Sequence, residues 1–161
     1  MNVRTLLSII GLGAGLLGFG YAALAQHQHD SSHGHEAQAD ARVLVKFPDE
    51  LRVHTMTNMR DHLLALSQIQ HALASGSLDE AGKIAEQRLG MTSLTAHGAH
   101  EVAKYMPQGM QDAGTAMHRG ASQFAVELQK TAVTGDLKPA LAALSRTTQA
   151  CVACHAGYRL Q

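Results

Sequence analysis

The chain has 161 residues, the length of a single domain. Thirteen Lys and Arg balance thirteen Asp and Glu, so no strong positive field directs it to nucleic acid. Three prolines, no tryptophan and an abundance of Ala and Leu favour helices, and no stretch reads as β.

Residues 1–25 have the layout of a secretory signal. Arg4 supplies a short positive region, Leu6 to Leu17 an apolar run, and Ala23-Leu24-Ala25 a small-residue cleavage site before Gln26. Taken from Leu6 to Ala25, the apolar stretch is also about long enough to cross a bilayer, but its five glycines and the cleavage site favour removal. An exported, periplasmic protein is expected. Residues 26–44 read as a polar, disordered tail, since up to Asp40 they hold no apolar side chain larger than alanine. His27, His29, His33 and His35 lie in it. They are read either as a loose transition-metal site or as part of a solvated linker.

Residues 45–161 read as four amphipathic helices. The first starts near Pro48, with Asp49 and Glu50 suited to its N-terminal dipole, and stops at Gly76. Its expected inward stripe is Met56, Met59, Leu63, Leu66, Gln70 and Leu73. The second opens on Ser77-Leu78-Asp79-Glu80, a capping box, and turns Leu78, Ala81, Ile84, Ala85 and Leu89 inward. Beyond Gly90 the pattern weakens, with a continuation or restart expected through Leu94 to Lys104, and Tyr105 to Gly109 is a turn. The third runs from about Met110 to Thr134, with Ala113, Met117, Ala121, Phe124, Leu128 and Ala132 inward, and ends at Gly135. Asp136 caps the fourth, Pro139 falls in its first turn, and Leu137, Leu141, Leu144, Thr148, Cys151 and His155 form its seam. Four such helices with short loops predict an all-α, antiparallel up-down-up-down four-helix bundle.

The chemistry lies near the C-terminus, in Cys151-Val152-Ala153-Cys154-His155. C-x-x-C-H is the attachment signature of a c-type haem. Two thiols one helical turn apart reach the two vinyl groups of one porphyrin edge as thioethers. The next residue, His155, is then carried under the iron as proximal ligand. A disulfide, half a zinc site and a redox dithiol are the competing readings. A zinc site wants two more ligands at similar spacing, and a redox dithiol wants a βαβ setting. Export agrees with covalent haem, whose attachment needs a compartment with assembly machinery.

Placed on the last helix of a bundle, this motif resembles the ending of the cytochrome c′ family, the class II c-type cytochromes. Cys151 to His155, followed by Tyr158-Arg159, is similar to the family's C-x-x-C-H-x-x-[YF]-R. Leu51-Arg52-Val53-His54-Thr55-Met56 is similar to its Y-R-x-x-x-[LM], with Leu51 in place of the aromatic. Tyr105 to Gly109 is similar to the F-P-x-G loop, with Met106 in place of phenylalanine. The resemblance covers about residues 45–161 and implies one covalent haem c. It sets Arg159 beside the proximal histidine and position 56 on the distal face. A leucine there leaves iron open to NO or CO, whereas a methionine ligates it. Met56 is therefore expected as sixth ligand, although methionine at helical spacing is also ordinary core and Met59 competes one turn along. His54 and His62 fall off the seam and are weaker candidates. Arg52 is read either as a partner of a haem propionate or as a solvated helix residue.

The function expected is one-electron transfer by a low-spin haem with His155 and Met56 as axial ligands. The alternative is a five-coordinate gas-binding protein. A third reading makes the histidine tail the working part, with the haem serving metal handling. No nucleophile–base pair reads from the spacing, so no enzyme is expected. The partners expected are a redox protein that the sequence does not name and a second copy of the chain, with oligomeric state left open.

Overall fold

Alternating turns of apolar side chain and short glycine-marked connections build the observed architecture. The structure is a computed structural model and describes residues 39–161, which form one compact unit. The expected signal and the tail histidines lie outside the described residues. Five α-helices carry nearly all the regular structure: α1 (Asp49–Ala74), α2 (Leu78–Ile84), α3 (Ala99–Ala103), α4 (Gln108–Thr134) and α5 (Lys138–Gly157). The chain is all-α in class. Among the described residues, no helix is long and apolar enough to cross a membrane.

The helix boundaries follow the expected signals. Pro48 precedes α1 and Pro107 precedes α4, each with its missing N–H where none is needed. Gly76 and Gly135 stop α1 and α4 at φ of 72° and 74°, a backbone that side-chain-bearing residues avoid. The Asp136 carboxylate accepts from the Lys138 N–H at 3.0 Å and so starts α5. The capping box does not form. Ser77 precedes α2 without a side-chain bond to it, because the Gly76 turn leaves its ψ at 67° rather than extended.

Beyond α2 the chain does not continue as a plain helix. A π-helical turn, Ala85–Leu89, is followed by a 3₁₀ turn, Met91–Ser93, and then by α3. Gly90 makes this possible: a Cβ there would stand 2.5 Å from the Glu86 carboxylate. That carboxylate in turn accepts from the Thr92 N–H.

Two strands contradict the expectation that nothing is β. β1 (Val43–Val45) pairs in parallel with β2 (Tyr158–Leu160). Val-Leu-Val is a good strand former, and its pairing brings the end of the expected tail onto the end of α5. Three residues were too few to give a periodic signal.

The core is built from Ile69, Leu89, Phe124 and Leu128, each almost fully buried, set among alanines of α1, α2, α4 and α5. Each large side chain contributes roughly 1.5–3 kcal/mol by leaving water. The stripes of α2 and of the middle of α4 are as expected, except that Ala132 is exposed. Those of α1 and α5 are rotated by one residue. On α1 the buried positions are Thr55, His62, Ala65, Ile69 and Ala72, while Leu63 is 67% exposed. On α5 they are Ala140, Ala143 and Thr147, while Leu141, Thr148 and His155 are exposed. On α5 the reason is close approach. At Gly120 of α4 a Cβ would stand 2.6 Å from Thr147 Oγ1 and 3.3 Å from its Cα. Small residues admit that contact, so the leucines of α5 move to its flanks.

Candidate functional site

Cys154 and His155, near the end of α5, line a cavity of about 580 Å³. Cys151 stands one turn earlier, half-buried, its thiol donating to the Thr147 carbonyl at 3.5 Å. The two cysteines are free. Burial pushes both thiols above their ordinary range, with Cys154 adding to the rise at Cys151. They are neutral thiols, not the low-pKa thiolates of a redox dithiol.

Met56 and Met59 of α1 line the same cavity. Met56 is 37% exposed, at the rim. Four contacts give the relative levels of the helices. Arg88 donates to the Asp61 carboxylate at 3.0 Å. Leu89 O meets His118 Nδ1 at 2.7 Å. Gly82 lies against Ala125, and Gly120 against Thr147. Counting along the helices from these pairs brings Met56 of α1, residues 112–113 of α4 and Cys154–His155 of α5 to one level.

The β1–β2 ribbon supplies two guanidiniums to the cavity mouth. Arg42 donates from Nη1 to the His155 carbonyl at 3.4 Å and is paired with Asp40. Its hydrogen bonds hold the Asp40 carboxyl well below the usual range, at about 2. Arg159 Nε stands 3.3 Å from Asp40 Oδ2, yet it is buried without a hydrogen bond in proper geometry. Arg52 is not part of the cavity wall and lies 3.8 Å from Asp49 on its own helix. Arg42 went unnoticed in the sequence because its position depends on the strand pairing.

The deeper end of the cavity holds a feature that sequence reasoning missed. His62 of α1, His97 of the segment before α3 and His118 of α4 cluster there, with ring centres 4.8, 5.5 and 6.0 Å apart. His62 and His118 are buried. Burial lowers the pKa of all three, that of His62 to about 4, where His97 and His118 add to the effect. His118 Nδ1 meets only acceptors at short range, so it carries the hydrogen and donates to Leu89 O. Ser93 spends its hydroxyl hydrogen on Gly90 O at 2.7 Å. His97 Nδ1 stands 3.3 Å from that hydroxyl oxygen, which is free to accept from it. His62 Nε2 is buried with no partner. The one available signal was that His62 falls on the α1 stripe once the stripe is set by the alanines.

His54 has a structural part. Its Nε2 lies 3.0 Å from the His97 carbonyl, which Asn58 also reaches at 3.2 Å. It fastens α1 to the turn before α3 and does not line the cavity.

No known protein family, curated protein or solved structure matches the chain.

Proposed function

We propose that this chain is a periplasmic mono-haem c-type cytochrome, built as an antiparallel four-helix bundle, that carries one electron at a time. The observation that supports it is one cavity lined both by Cys154–His155 and by Met56–Met59, with Met56 at the level of His155. The residues fit the group. The Cys154 thiol lines a largely apolar space of suitable size for a cofactor, and Cys151 stands one turn earlier on the same helix, packed against the core. At Gly114, on the cavity wall, even a Cβ would touch nothing. The buried Arg159 Nε lacks a hydrogen bond and, with Arg42, would meet a propionate.

Cys151 and Cys154 would hold haem c as thioethers, and His155 and Met56 would be the ligands of its iron. When bound, the haem supplies the one-electron couple. The chain fixes both ligands on helices, so little reorganisation accompanies transfer, and a thioether ligand raises the potential. A redox protein is the proposed partner, with a second copy of the chain as the proposed oligomer.

The test of the sixth ligand is spectroscopic. The ferric protein should be low-spin with a sulfur-to-iron charge-transfer band. Met56→Ala should abolish that band, give a high-spin or water-bound haem and speed CO binding by the ferrous form, while Met59→Ala should keep the band. Loss of the band only in Met59→Ala would move the ligand one turn along α1. A wild-type protein that is already high-spin would replace electron transfer by gas binding.

A further inference from the structure

We propose that His62, His97 and His118 form a second metal site, for a divalent first-row ion of the zinc or copper kind, apart from the haem motif and from the histidine tail. By helix counting it lies about six residues, or roughly 9 Å, deeper than the level of His155 and Met56.

The spacing fits such an ion. Three imidazoles around a tetrahedral ion, each with a Zn–N bond of about 2.0–2.1 Å, have ring centres roughly 5 Å apart. The three separations here are 4.8, 5.5 and 6.0 Å. The three rings come from α1, the segment before α3 and α4, so the backbone has already gathered ligands from distant parts of the chain.

The hydrogen bonding fits as well. A metal-binding histidine commonly donates its other N–H to a carbonyl or hydroxyl, which fixes the tautomer and aims the lone pair. His118 does this to the Leu89 carbonyl, the Ser93 hydroxyl stands ready to accept from His97 Nδ1 in the same way, and no hydrogen bond among the described residues takes up Nε2 of either ring. The third ring brings the independent observation. His62 is 7% exposed, and its Nε2 has no partner. Leaving such a group buried and unpaired is unfavourable, and a bound ion removes that cost. Neutral imidazoles without a thiolate select zinc or copper over magnesium or calcium. Asp61, next in sequence to His62, is held by Arg88 and does not serve as a ligand.

As the rings stand, no three His, Cys, Asp or Glu side chains among the described residues already form a metal site. Closing this one needs rotation about χ2, a soft torsion, at His62, whose Nε2 has no hydrogen bond to give up. The backbone already provides the spacing.

The experiment uses the purified mature protein with whatever cofactor it carries, so it does not depend on the haem reading. Zn²⁺ is added, and a weak chelator is then applied at a level that strips flexible peptide sites such as the tail. Wild type should keep one Zn²⁺ and melt at a higher temperature with it. His118→Gln should lose at least about 100-fold in affinity, and Ser93→Ala, which touches no ligand lone pair, on the order of 10–100-fold. His97→Ala, at a half-buried position on a connection, repeats the ligand loss where folding is least at risk. Equal Zn²⁺ retention by wild type, His118→Gln and His97→Ala would assign the binding to the tail and overturn the proposal. Retention by none of them, wild type included, would overturn it too.

Discussion

Acidification should expose the buried histidine directly. An imidazole in the unfolded chain takes its proton near 6.5, whereas folded His62 waits until about 4, because burial, with His97 and His118 beside it, disfavours the cation. Between those values the unfolded state binds more protons. The contribution is therefore fully present above 6.5, declines as the pH falls, and is lost below about 4. Linkage gives a loss of about 2.5 kcal/mol from His62 alone between about pH 7.5 and about pH 4.5. His97 and His118 are shifted in the same direction and steepen the decline. The assay is urea unfolding across that range with a chelator present, on wild type and His62→Leu. The variant should be flatter by about the stated amount. At neutral pH it should be no less stable, since leucine removes an unpaired buried nitrogen. Parallel pH profiles for the two proteins would refute the reasoning.

Gly120→Ala should lower the urea midpoint. Its methyl would stand 2.6 Å from Thr147 Oγ1 and 3.3 Å from Thr147 Cα, and overpacking of roughly 1–3 kcal/mol outweighs a helix-propensity gain of at most about 1 kcal/mol. A variant as stable as wild type would show that α4 and α5 separate freely. Protein recovered from the periplasm should begin at Gln26, as read by N-terminal sequencing, whereas membrane-bound protein with Met1 intact would mean an anchor.

Helix positions were legible because Pro48, Gly76, Gly135 and Asp136 act locally: each sets its own backbone whatever packs nearby. The faces of α1 and α5 were not. Periodicity points large apolar side chains inward, but a close helix pair is set by its smallest residues. Gly120, Ala140, Ala143 and Thr147 decide which side of α5 meets α4, and that turned Leu141 outward; on α1 the buried side is the one with Ala65, Ile69 and Ala72, which leaves Leu63 outside. The β1–β2 pairing joins Val43 to Tyr158, 115 residues apart, and three-residue strands carry no pattern to reveal it. With it went the placing of Arg42 and Arg159 together. Cys154, His155, Met56 and Met59 were each named from spacing or resemblance, and they do line one cavity. The histidine cluster was hidden because its members come from three segments and share no motif.

Acid-acetone extraction decides whether Cys151 and Cys154 hold a haem covalently, as proposed. The mature protein, produced in a host that attaches haem to exported cytochromes, should keep its haem with the polypeptide, and intact mass should rise by one haem. A Cys151→Ala, Cys154→Ala double variant should lack both signs. Haem released into the organic phase from wild type, or a wild-type chain that carries none, would contradict the account.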